Sequence, residues 1–353
     1  MKHPIARKVH LWLSIPLGLF ITLICVTGAL LVFERDLSRG WQGGIDPAGR
    51  QPLPIPVILE NASAHVPTGS HIAGLTVYPD STVAYKVLLS KPPMAALWVD
   101  QYSGEVMGKY KRPAIFRISS AAHRRLFGDN RSEWGNIGKM IVGVTTICVI
   151  VIVVTGFILW WPADMKSLRR HLSIPFHHGF HAFCHGLHCA GGVYAGILLL
   201  LCALTGLTWS FKWYRTGVYS LFGTSAPAPL RMNGKAVNFD AWQTAFTEVA
   251  WKNPGKEIRA YQGKIEVVKG TTGNAQAVEI YKFDAATGRI TSFVPYSSTP
   301  ESRKIRGWIS ALHLGSWGGM WSKIIYFLLA LLAASLPLTG YYLWIRRCVR
   351  RKQ

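Results

Sequence analysis

Residues 8–33, KVHLWLSIPLGLFITLICVTGALLVF, hold no Asp, Glu, Lys or Arg from position 11 to 33. At about 1.5 Å per helical residue this run crosses about 30 Å of hydrocarbon. Inside it His10 is followed by Gly18 and by Thr27-Gly28, at intervals of 8 and 17 residues. Residues 186–207, GLHCAGGVYAGILLLLCALTGL, place His188, Gly196 and Thr205-Gly206 at the same two intervals. A membrane segment has been used twice, with a histidine at the start of each copy.

Working outward, charge-free windows recur at 11–33, 140–163, 186–211 and 324–345, which reads as four transmembrane helices. Half of the 353 residues are hydrophobic and only 16% are charged, which excludes an ordinary soluble enzyme. The first window is too long for a signal-peptide core and lacks a small-residue cleavage site before Glu34, so it is expected to stay as an anchor. Residues 1–10, 162–185 and 346–353 hold 11 basic and 1 acidic residue, whereas 34–136 and 213–322 hold 25 basic and 16 acidic. Cationic loops resist translocation, so both termini are expected in the cytoplasm of a cell with an inner membrane. The net charge of +22 is then a matter of topology and contact with lipid, and no nucleic-acid motif accompanies it. All six cysteines lie in the helices or on the inner side, so disulfides have no part in the outer segments.

The second and fourth segments match through Trp134-Gly135 and Trp317-Gly318, and through Thr155-Gly156-x-x-x-Trp160 and Thr339-Gly340-x-x-x-Trp344. Each follows a histidine, His123 in AAHRRLFG (121–128) and His313 in ALHLGSWGG (311–319). In the outer segments LWVDQYSGEV around Asp100 and Gly104 parallels IYKFDAATGRI around Asp284 and Gly288. Both read as strand, Asp-x-x-Ser/Thr-Gly turn, strand. Pro-rich stretches at 52–56 and 225–229 are read as linkers.

The expected fold class is therefore a membrane protein of four transmembrane α-helices in two parallel pseudo-repeats, each carrying an α+β outer domain. The boundaries are 1–33 (cytoplasmic N-terminus and first helix), 34–136 (first outer domain, ending near His123), 137–161 (second helix) and 162–185 (cytoplasmic loop). They continue with 186–212 (third helix), 213–322 (second outer domain, ending near His313), 323–345 (fourth helix) and 346–353 (cytoplasmic tail).

In this register His10 and His188 share the inner end and His123 and His313 the outer end. Two facing imidazoles make an axial pair for one haem iron, and six-coordination favours electron transfer over oxygen binding. Two pairs imply two haems, b-type because no C-x-x-C-H occurs. Gly191-Gly192, Gly315 and Gly318-Gly319 would let a flat macrocycle approach the backbone, although such glycines also serve close helix packing. Structural readings stand beside this one: His10 as an interfacial residue, and the aromatic residues at helix ends as a membrane belt.

His178, His181, His185 and His188 are spaced for one helix face. They suit an interfacial amphipathic turn, zinc or iron loading, or a ligand at His181 or His185 in place of His188.

The quoted segments, with LPLTGYYLW (336–344), make the chain resemble the PepSY-associated transmembrane proteins, in particular the inner-membrane ferric-siderophore reductases. The resemblance covers nearly the whole chain and implies two PepSY-like periplasmic domains on a four-helix core. It further implies two haems b, with His10, His123, His188 and His313 as the iron ligands, and a ferric siderophore reduced in the periplasm. No dinucleotide fingerprint occurs and the longest inner loop is about 24 residues, so electrons must come from a quinol or a separate reductase. Two rivals remain at this point: a haem-free PepSY-domain regulator or scaffold, and a cytochrome b subunit serving another periplasmic oxidoreductase.

Overall fold

Among the described residues four helices are long and apolar enough to span a bilayer: Pro4–Val32, Glu133–Trp160, Phe180–Ser210 and Gly319–Arg350. They overrun the charge-free windows because Lys, Arg and Glu can end a span by reaching into the headgroup layer. The protein is a multi-pass membrane protein. The computed structural model describes residues 3–40, 44–92, 95–129, 132–162, 164–227, 238–270 and 273–350.

In chain order the first half runs α1 (Pro4–Val32), α2 (Glu34–Gly40), α3 (Ile55–Ser63), β1 (Ile72–Val77), β2 (Tyr85–Leu89), β3 (Ala96–Val99), β4 (Val106–Lys109), α4 (Ala114–Arg125) and α5 (Glu133–Trp160). The second half runs α6 (Met165–His171), α7 (Phe180–Ser210), α8 (Lys212–Leu221), α9 (Phe239–Lys252), β5 (Ile258–Tyr261), β6 (Lys264–Val268), β7 (Val278–Phe283), β8 (Ile290–Val294), α10 (Glu301–Leu314) and α11 (Gly319–Arg350). Two compact units result. One comprises Met1–Glu34, Ala114–Ala226 and Ile309–Gln353, the other Arg35–Pro113 and Pro227–Trp308.

In the helical unit α1 packs on α5 and α11, and α7 packs on the same two helices. With no hydrophobic force between helices in lipid, close approach depends on small residues. Gly18 of α1 admits the Tyr341 side chain of α11, whose hydroxyl donates to the Ile15 carbonyl at 2.6 Å. Gly196 of α7 admits the Phe157 ring of α5. Ala195, Ala203, Ala333 and Ala334 fill the centre beside Ile21, Cys25, Val149 and Val153.

The other unit is one eight-stranded sheet in the order β4-β3-β2-β1-β5-β6-β7-β8, with neighbouring strands antiparallel. Its core joins Ile55, Ile58 and Leu59 of α3 and Trp242, Ala245 and Val249 of α9 to one sheet face, through Leu75, Val87, Leu97, Val99, Ala260, Ile265 and Val267. The two expected turns form alike. The Asp100 carboxylate accepts from the Tyr102 amide and Asp284 from the Ala286 and Thr287 amides, and Gly104 and Gly288 supply φ +75 and +76.

The two outer segments, read from sequence as separate domains, thus contribute one helix and four strands each to a single sheet. Pairing β1 with β5, Leu75 opposite Ala260, removes an exposed edge from each four-stranded half. Pro54 caps α3 and Pro56 lies in its first turn, so the 52–56 stretch starts a helix instead of acting as a linker. The 225–229 stretch lies partly outside the described residues.

Glu266 is buried between Lys264 (2.8 Å) and Arg303 (2.9 Å). Burial alone would raise its carboxyl pKa, but the hydrogen bonds and charges of Lys264 and Arg303 outweigh it and hold the value below the ordinary carboxylate range. A depressed folded-state value stabilises above the unfolded pKa of about 4.3 and loses that contribution as pH falls through the folded value. Thermal unfolding of the full chain is expected to lose part of its acid sensitivity below about pH 4.3 in Glu266→Gln. An unchanged pH profile would assign that sensitivity elsewhere.

Candidate functional site

A threonine in a helix interior turns its hydroxyl onto a carbonyl one turn back, and a glycine beside it leaves room for a neighbour. The four spanning helices contain four such Thr-Gly pairs, and each seats one histidine from another element. His10 of α1 donates from Nδ1 to the Ile152 carbonyl of α5 at 3.0 Å and stands 3.2 Å from Thr155 Oγ1. His188 of α7 does the same on α11, with the Leu336 carbonyl at 3.0 Å and Thr339 Oγ1 at 3.2 Å. His123 of α4 donates to the Ile24 carbonyl of α1 at 2.8 Å, beside Thr27 Oγ1 at 3.5 Å. His313 of α10 meets the Cys202 carbonyl of α7 at 3.2 Å and Thr205 Oγ1 at 3.0 Å.

In every case the accepting carbonyl lies three residues before the threonine. Each threonine hydroxyl donates back within its own helix, to Val151, Leu23, Leu201 and Ser335 among others. The glycines complete the seats: a Cβ on Gly156, Gly340, Gly28 or Gly206 would stand 3.3, 3.1, 3.0 or 3.2 Å from the Cε1 of the histidine it faces.

A carbonyl can only accept, so each Nδ1 carries the proton and each Nε2 keeps its lone pair. The seated rings then come together edge-on in two pairs, at 88° and 65° between ring planes. The His10 and His188 centroids are 6.3 Å apart and those of His123 and His313 6.2 Å. A metal bound at about 2.0 Å by one nitrogen of each ring, with about 1.1 Å more to each ring centre, would need the centres about 6 Å apart. The donor chemistry and the separation would suit a metal between two neutral imidazoles.

Around His10 and His188 lies a cavity of about 710 Å³. Its wall includes Gly156, Gly192 and Gly340 and aliphatic side chains of all four spans, with Arg7, Lys8 and Arg347 also lining it. A Cβ on Gly192 would meet nothing within 4 Å, so that glycine leaves the space open, whereas Gly191 packs on Leu332 and Gly315 on Tyr326. A mostly apolar chamber with three cations suits a flat, greasy, anionic ligand.

Of the histidine cluster, His188 is the member opposite His10. His185 lines the same cavity, 3.8 Å from the Cys189 sulfur, and His181 lies near the Tyr342 ring. His178 precedes α7, because Gly179 at φ +82 caps the helix from outside, so the four histidines do not share one helix face. Among the described residues no three His, Cys, Asp or Glu side chains converge as a metal site. In the sequence the Thr-Gly pairs mark a repeat, and their fixed 17-residue interval from His10 and His188 is the signal that points to the seats. Trp209, read as part of an aromatic belt, packs edge-on against His313 at 5.1 Å between centroids.

A search of the curated proteins finds no match to this chain. The family model for the PepSY-associated TM region matches residues 7–347, nearly the whole length. That span takes in all four histidines and their seats, and the chain belongs to the PepSY-associated TM family.

Proposed function

We propose that this protein is a two-haem, b-type transmembrane electron-transfer protein, built as two parallel pseudo-repeats. On this reading it reduces ferric iron, held by a siderophore, on the periplasmic side of the bacterial inner membrane. The observation that carries the reading is the two adjacent imidazole pairs, each ring with Nδ1 on a carbonyl, which leaves the lone pair on Nε2. His10 and His188 would hold one haem and His123 and His313 the other. When bound, haem would supply a one-electron Fe(III)/Fe(II) couple, and two histidine ligands would favour electron transfer over oxygen binding.

The seventeen residues from His10 to Thr27 place the two sites about 25 Å apart along α1. Arg7, Lys8 and Arg347 suit the carboxylates of a macrocycle in the 710 Å³ chamber. The excess of Lys and Arg in 1–10, 162–185 and 346–353 supports a cytoplasmic His10 end and cytoplasmic termini. Electrons would enter there from the quinol pool or a separate reductase. Siderophores hold Fe(III) far more tightly than Fe(II), so adding one electron loosens the iron. The outer segments are net basic, 25 against 16, which favours anionic chelates weakly at physiological salt.

Oxidised and dithionite-reduced spectra of the detergent-solubilised protein, with a pyridine haemochrome assay, test the reading. A b-type spectrum with about two haems per chain is the expected result. Absence of haem from carefully loaded protein would leave a PepSY-domain regulator or scaffold. Haem without electron transfer to ferric siderophores would leave a cytochrome subunit for another oxidoreductase.

A further inference from the structure

We infer that Thr27, Thr155, Thr205 and Thr339 are positioning residues that set the electron donation of the histidine each one faces, in a pattern that crosses between helices. The inference rests on the paired-haem reading. Each threonine oxygen stands 3.0 to 3.5 Å from an imidazole Nδ1 whose proton also goes to the carbonyl three residues earlier. Its own proton is spent within its helix, so the lone pair facing Nδ1 can only accept. Two acceptors on one N–H polarise it, make the imidazole more basic and stabilise Fe(III) relative to Fe(II).

The connections cross. α1 carries His10 but seats His123 with Thr27, and α7 carries His188 but seats His313 with Thr205. α5 and α11 seat His10 and His188 with Thr155 and Thr339. A threonine therefore acts on the haem whose ligand it touches, not on the haem whose ligand shares its helix.

Valine keeps the branched shape and removes the acceptor; serine keeps the hydroxyl. The test is a spectroelectrochemical titration of full-length haem-loaded protein, with low-spin EPR signals to separate the two haems. Thr155→Val is expected to raise the midpoint potential of the His10/His188 haem alone. Thr27→Val, although on the helix of His10, is expected to raise that of the His123/His313 haem alone. Serine at either position should restore the original value, and haem content should stay unchanged throughout. Unmoved potentials, a shift in the haem of the threonine's own helix, or an equal shift from serine would each overturn the inference. If the unaltered protein binds no haem, the cofactor reading itself fails, a result that haem assay separates from an unmoved potential.

Discussion

On the two-haem reading, His188→Ala is expected to yield a chain with one haem in place of two, the remaining spectrum being that of the His123/His313 pair. The imidazole of His188 provides one of the two donors in its pair, its Nδ1 fixed on Leu336 and its ring 6.3 Å from that of His10. Alanine removes the donor and enlarges a chamber of about 710 Å³. Changes to groups that merely orient a metal ligand cost about 10- to 100-fold in affinity or activity, so loss of the ligand should exceed about 100-fold in electron delivery to ferric siderophore. The outer pair is seated on α1 and α7 near Thr27 and Thr205, seventeen residues along each helix, and should keep its haem. Haem per polypeptide and the reduced spectrum read this directly. Two haems retained would move the inner ligand to another side chain, and His185, three residues away on the same cavity wall, would be the next substitution.

The spans and the histidine pairs were legible in the sequence because the bilayer and the site impose lengths on the chain. About 20 apolar residues are needed to cross, which the four windows show. The 17-residue interval from histidine to Thr-Gly is the distance between the two sites along one helix, and the 8-residue interval marks where Gly18 and Gly196 admit a side chain of the neighbouring helix. The partners were not legible. Which Thr-Gly pair seats which histidine depends on contacts such as His188 with Leu336, made between elements far apart in the chain. Strand alternation tells which face of β1 is buried but not that β1 will pair with β5, so one sheet was read as two domains. His178 was placed on a helix by spacing alone, and Gly179, with its positive φ, excluded it.

On the same two-haem reading, Gly138→Ala is expected to abolish haem binding at His123 and His313 without touching a histidine. After α4 the chain passes through Leu126 and Phe127 at φ 47 and 68, a conformation that side chains disfavour. They are held by hydrogen bonds from the Leu126 amide to the Ala122 carbonyl and from the Phe127 amide to the Ala121 carbonyl, both 3.1 Å, and by the Trp134 indole donating to the Leu126 carbonyl at 3.1 Å. The Arg125 carbonyl occupies the space a side chain on Gly138 would need, and the Asp129 carbonyl does the same at Gly135. These are backbone atoms and cannot rotate away, so a methyl group must push the end of α4 off α5. Arg125 lies two residues after His123, whose Nδ1 bond to Ile24 is 2.8 Å and fails with a shift of about 1 Å. Overpacking of this kind costs about 1–3 kcal/mol, and more where the neighbour is backbone. The expected outcome is a lower melting temperature and one haem per chain, of the His10/His188 type. Gly217→Ala on α8 is the control: a Cβ there meets nothing within 4 Å, and removing a helix-interior glycine should be neutral or stabilise by about 0.5–1 kcal/mol. If Gly138→Ala melts like the unaltered chain and keeps both haems, the α4–α5 contact does not hold His123 in place. The seat on α1 would then suffice by itself.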